Sequence, residues 1–148
     1  MTLKARIQED MKSALRAGEK EKLGYIRMLM AAIKQREVDE RIELDDAQVL
    51  SVIEKMVKQR RESITQFEAG GRADLVARET AEMQLLAAYL PAQLSSAELE
   101  AMISEIIAAT GANTIKDMGK VMAAIKARAA GRADMGAVGA RVKARLSA

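Results

Sequence analysis

The residue types that usually do chemistry are scarce in this chain. It has 148 residues and contains neither cysteine nor histidine. That excludes disulfides, thiol nucleophiles, Cys or His zinc sites and the usual general base near neutral pH. Ser63, Ser95, Ser96 and Ser104 therefore have no histidine to activate them, and no Ser–Lys constellation surrounds them. The carboxylates fall in mixed-charge stretches such as "EKEKL" and "EVDER", the pattern of a solvated helix face. No P-loop, dinucleotide fingerprint, EF-hand loop or zinc spacing is present. The residues predict no catalytic group, no metal and no cofactor.

What the sequence does offer is positive charge in one place. Net charge is only +3, yet residues 1–90 hold 16 basic and 16 acidic residues. Residues 113–148 hold Lys116, Lys120, Lys126, Arg128, Arg132, Arg141, Lys143 and Arg145 against Asp117 and Asp134. Lys116 and Lys120 lie four apart, with the small Ala123 and Ala127 on the same outer face, and Lys126 and Arg128 flank them. Arg141 and Arg145 form a second pair four apart. A flat basic face of this kind suits a phosphate backbone. No aromatic residue follows Pro91, so stacking on single-stranded bases is disfavoured and a structured RNA is the better ligand.

The elements that must position these residues read as helices throughout. The core palette is Leu, Ile, Val, Met and Ala, and no stretch alternates with a period of two. Leu3, Ile7, Met11 and Ala14 mark a first helix between an N-cap at Thr2 and a stop at Gly18. Leu23, Ile26, Met30 and Ile33 mark a second, separated by the polar "REVDERIELDD" from a third that starts at Asp45 or Asp46. Val49, Ile53, Met56, Val57, Ile64 and Phe67 form the third stripe. The fourth helix is expected to be capped by Asp74, to bury Val76, Met83, Leu86 and Leu90, and to end at Pro91. A capping box at Ser95 and Glu98 opens a fifth, with Leu99, Met102, Ile103, Ile106 and Ile107 at helical spacing. Thr114 with Asp117 opens the next, lined by Ile115, Met118, Met122 and Ile125. A last helix from Asp134 buries Met135, Val138, Val142 and Leu146.

This pattern predicts an all-α fold with an N-terminal multi-helix subdomain over 1–92 and a small C-terminal three-helix bundle over 93–148. The tetrapeptide GRAD occurs in both, as "AGGRADLV" and "AAGRADMGAV". Each copy falls where one helix ends and another begins. Glycine suits the left-handed stop, and aspartate accepts from the free N–H groups of the next helix. The flanking residues do not align, so the repeat reads as local convergence.

The stretch "KDMGKVMAAIKARAAGRADMGAV" resembles the signature of the GatB/YqeY family. Matches in order along the chain extend the likeness: "IQEDMK", "IRML", "KQRRESITQFEAGGRADLVARE" and "AAYLPAQLS". The resemblance implies a helical N-terminal part and a tail similar to the C-terminal domain of the GatB subunit of glutamine-dependent aminoacyl-tRNA amidotransferases, where that domain contacts tRNA. Carried over, Met118, Gly119, Lys120, Gly131, Arg132, Ala133 and Asp134 fall on motif positions. Lys120 and Arg132 are then the candidate contacts, and the others shape the turn and core. Met135 departs from the pattern, standing where Gly or Pro often follows the Asp.

The leading expectation is a non-catalytic accessory protein that binds tRNA, or a tRNA–protein complex, through Lys116, Lys120, Lys126, Arg128, Arg132, Arg141 and Arg145. Amidotransferase or other aminoacyl-tRNA-related proteins are the implied protein partners. A protein-interaction module built on the N-terminal helices, without RNA, is the alternative. An amidotransferase or amide-hydrolysing enzyme acting alone is a third reading, and the chain offers it no nucleophile. The longest early apolar run, "YIRMLMAAI", is too short for a bilayer, and nothing at Met1 resembles a signal peptide. No membrane partner and a cytoplasmic location are expected.

Overall fold

The computed structural model describes residues 1–147, which are all-α: seven α-helices, one 3-10 turn and no strand among the described residues. They form two compact units, Met1–Leu90 and the residues from Pro91 onward.

In the first unit, α1 (Leu3–Ala17) is capped as its sequence dictates. The Thr2 hydroxyl accepts from the Ala5 N–H at 3.1 Å, and Gly18 closes the helix at φ +70°. Helix α2 (Lys20–Glu40) runs farther than expected, through "REVDE" rather than stopping before it. Arg36 pairs with Glu40 and Gln35 with Asp39 along the helix. Glu37 accepts from Lys4 Nζ at 2.7 Å and from the Leu44 N–H at 2.9 Å. The polar run is thus the solvated end of a helix. The Lys4 hydrogen bond, followed by that of Leu44, holds the Glu37 carboxyl below the usual range.

A capping box between Asp45 and Gln48 opens α3 (Asp46–Ala69), and α4 (Ala73–Ala87) packs back along it. The core joins Ile7, Ile26, Leu29, Ile33, Val49, Ile53 and Leu86, all inaccessible to solvent. Leu29 rather than Met30 takes the deepest place on α2, while Ile64, Phe67 and Val76 are only half-buried. Helix α4 ends at Ala87, before the expected Pro91. The turn beyond it buries Tyr89, whose hydroxyl donates to Asp10 and whose ring lies under the Arg6 guanidinium at 5.1 Å. Burial, then the Asp10 carboxylate, pushes the Tyr89 phenol up.

In the second unit, the Ser95–Glu98 capping box opens α5 (Ser96–Thr110), and Gly111 ends it at φ +66°. A 3-10 turn over Ile115–Asp117 leads into α6 (Met118–Ala129), so the Thr114–Asp117 box starts that tighter turn and the α-helix begins later. Helix α7 (Met135–Ser147) completes the bundle. Ile103, Val121, Ile125, Ala129, Val138 and Val142 are fully buried at its centre. Pro91, Ala92, Gln93 and Leu94 all belong to this unit, for a reason seen at the second GRAD turn.

Candidate nucleic-acid-binding face and its supports

The two GRAD copies are built differently. In the first, Gly71 has φ +68° and α4 begins at Ala73, so Asp74 lies inside the first turn and is not its cap. The Arg72 guanidinium instead holds Asp74 through two hydrogen bonds, at 3.2 and 3.1 Å, and this lowers the Asp74 pKa. In the second copy Gly131 has φ +74°, and Asp134 precedes α7 and accepts from the Gly136 N–H at 3.0 Å, a true cap. The next helix begins two residues later in the motif than it does in the first copy.

Arg132 then turns away from Asp134. Its Nε donates to the Ala92 carbonyl at 3.0 Å, its own carbonyl accepts from the Leu94 N–H at 2.8 Å, and Gln93 Nε2 donates to the Gly131 carbonyl at 2.7 Å. Three reciprocal bonds fasten "PAQL" to "GRAD". This joint is why the stretch after Pro91 goes with the tail. Replacing Arg132 by alanine removes a charged donor from a carbonyl, so it should destabilise this unit by about 1–2 kcal/mol. Chemical denaturation followed by circular dichroism would measure it.

The remaining basic residues divide by what they touch. Arg128 pairs with Glu105 at 3.4 Å, and Arg141 and Arg145 both converge on Glu100, at 3.1 and 3.3 Å, with Arg145 also reaching Ser104. Both glutamates are on α5, outside the segment whose charge drew attention. Lys120 donates to the Thr110 carbonyl at 3.2 Å and lies 3.8 Å from Asp117, so its ammonium sits at the carbonyl end of α5. Asp117 accepts from the Asn113 and Thr114 N–H groups, which lower its pKa. Lys116 and Lys126 are exposed and form no ion pair among the described residues.

On α6 the exposed positions Gly119, Lys120, Ala123, Lys126 and Ala127 share one face, and Lys116 on the preceding 3-10 turn lies at its edge. Small side chains fill its middle and lysines its margins. Met118 and Met122 point the other way and pack against α7 beside Gly139, where a Cβ would meet both methyl groups at 3.8 Å, an ordinary contact. Among the motif residues, then, Met118, Gly131, Ala133 and Asp134 build core and turn, while Gly119 and Lys120 face solvent.

Sequence reasoning missed one polar cluster in the first unit. Arg60 on α3 meets Glu79 at 2.9 Å and Glu82 at 3.5 Å, and Glu82 is only 3% exposed. The signal was present in Leu75, Glu79, Glu82 and Leu86, spaced 4, 3 and 4, which puts two carboxylates in the phase of an apolar stripe. No group of three or more carboxylates suited to a metal ion occurs among the described residues.

Fold and surface together define a helical protein of two units whose tail is closed by a Gly-Arg-Ala-Asp turn on its own leading strand of chain. The chain belongs to the YqeY-like protein family, whose model matches residues 4–146. It is 44% identical over 96 residues to Altered inheritance of mitochondria protein 41, mitochondrial, of Eremothecium gossypii, covering 64% of this chain and 52% of that one. It is 34% identical over 107 residues to the protein of the same name in Lachancea thermotolerans, covering 70% and 57%. The Saccharomyces cerevisiae protein of that name is 33% identical over 95 residues, covering 64% and 51%. The chain therefore spans about half the length of the curated relatives it matches. These names, which place the relatives in the mitochondrion, overturn the expectation of a cytoplasmic protein. The expectation rested on the lack of a recognisable leader and of a membrane span. No described helix is long and apolar enough to cross a membrane, and that does not separate one aqueous compartment from another.

Proposed function

We propose that the protein is a non-catalytic accessory factor that binds tRNA, or a tRNA–protein complex, through the exposed face of α6. The likeness of the tail to the tRNA-contacting domain of the GatB subunit associates it with glutamine-dependent amidotransferases, in a mitochondrial setting as in the relatives' names. The observation that carries the reading is the face itself: Lys116, Lys120 and Lys126 around small side chains, two of the three without an ion pair among the described residues. Small residues allow a phosphate backbone to come close, and unpaired lysines can release its counterions. Arg128, Arg141 and Arg145, already paired with Glu105 and Glu100, take a secondary part. Arg132 acts by holding the turn.

The test is tRNA binding across a salt series, comparing wild type with a Lys116/Lys120/Lys126→Ala variant. The variant should bind at least about tenfold more weakly at low salt, with its slope of log affinity on log salt shallower by about 2 to 3. Equal slopes would remove phosphate contacts at this face from the reading. A protein partner for the first unit is the second reading. Leu15 and Val38 support it, each 59% exposed on helices of that unit.

A further inference from the structure

The first unit contains a cleft of about 500 Å³ between α2, α3 and α4, within the size range of small-molecule sites. Its walls follow from helical spacing: Lys20, Glu21, Gly24, Tyr25 and Met28 on α2, and Leu75, Arg78, Glu79 and Glu82 on α4, with Arg60 from α3. Three features mark it as built.

The first is charge. Arg60 faces both Glu79 and Glu82, one guanidinium to two carboxylates, while Lys20, Arg78 and Glu21 bring the lining as a whole to balance. The second is an unmet bond. Glu82 Oε1 has no hydrogen-bond partner, and neither does Arg60 Nε, although both atoms are sealed from solvent. Native proteins rarely leave such groups unsatisfied without a purpose. The third is Gly24. It lies within α2, where glycine destabilises a helix by about 0.5–1 kcal/mol relative to alanine. Yet a Cβ there would meet nothing within 4 Å. No packing within the chain explains it, and its effect is to keep the wall of the cleft open.

We propose that this cleft binds a small amino-carboxylate zwitterion, its ammonium on Glu82 and its carboxylate on Arg78 and Lys20. A buried carboxylate oxygen without a partner calls for a donor such as an ammonium, and the broad terminal torsion of glutamate lets it turn Oε1 toward one. Lys20 and Arg78 line the same cleft and form no ion pair among the described residues. Arg78 stands one helical turn from Glu82, about 5–6 Å along α4, a separation that a compact amino-carboxylate bridges. Met28 and Leu75 supply apolar wall for a short aliphatic side chain. Burial pushes the Glu82 carboxyl up, in keeping with a group that awaits a cationic partner. This site is independent of the tail and of any RNA it binds.

The test is an NMR titration of the full chain with three matched probes: L-norvaline, propylamine and butyrate. Norvaline should shift the amide signals of Gly24, Tyr25, Glu79 and Glu82 saturably, with the two half-probes each at least about tenfold weaker. Glu82→Gln should weaken norvaline by about tenfold or more. Gly24→Leu should fill the cleft and abolish the shifts while keeping the wild-type circular dichroism, since leucine favours a helix. Any of three results would overturn the proposal. They are no saturable shift at these residues, norvaline binding undiminished in Gly24→Leu, or propylamine binding as tightly as norvaline.

Discussion

Replacing Ile125 by alanine is expected to unfold the second unit under conditions that leave the first intact. Ile125 is wholly buried on α6, in a core shared with Ile103, Val121, Val138 and Val142. Isoleucine-to-alanine changes in such sites lose about 2–5 kcal/mol, because the surrounding helices collapse only partly into the gap. A unit of about 60 residues has little to spare, since a core that small rarely supplies more than about 3–5 kcal/mol. Hydrogen exchange reads the result by region. Amides of α5, α6 and α7 should lose protection, while those of α1 to α4 should keep theirs. A loss below about 1 kcal/mol would mean that this core is not what holds the tail together.

The helices were legible because each carries its own start, stripe and stop. Thr2, Asp45 and Ser95 each accept from a backbone N–H of the turn they open, and Gly18 and Gly111 take the left-handed conformation expected of stops. These are local signals, readable without knowing what lies across the core. Errors arose where the deciding partner was distant in sequence. "REVDE" looked like a break in the chain because Lys4, 33 residues away from Glu37, could not be seen beside it. Asp74 looked like a cap because Arg72 was not known to hold it.

The candidate face was only half-legible for the same reason. A window over residues 113–148 counts eight cations and two anions. Folding brings Glu100 and Glu105 onto three of the arginines. Over residues 91–148 the balance is eight basic to five acidic. Spacing on α6 predicted which lysines share a face, since that is a property of one helix. It could not predict that Arg132, on the motif, spends its guanidinium on the Ala92 carbonyl.

The second large effect is expected at Arg60. Replacing it by methionine keeps most of the stem and removes the only cation among the described residues that forms an ion pair with Glu79 and Glu82. Glu82 would then be a buried carboxylate with only Arg78, beyond ion-pair distance, to answer it, a change that loses up to about 3 kcal/mol. The loss should depend on pH with a definite sign. Burial already raises the Glu82 pKa above its ordinary value, outweighing the opposing pull of Arg60. The folded state therefore holds that proton more tightly than the unfolded chain does. Its stability from this group is full below the ordinary glutamate range and falls as pH rises through the raised value. Without Arg60 the pKa rises further, so the destabilisation of Arg60→Met should be large at pH 8 and small at pH 5. Adding Glu82→Gln removes the charge and should restore most of the stability at pH 8. Urea midpoints of the single and double variants at the two pH values make the test. Equal losses at pH 5 and pH 8, unrelieved by glutamine at position 82, would show that Arg60 stabilises by packing of its stem and not by answering a buried charge.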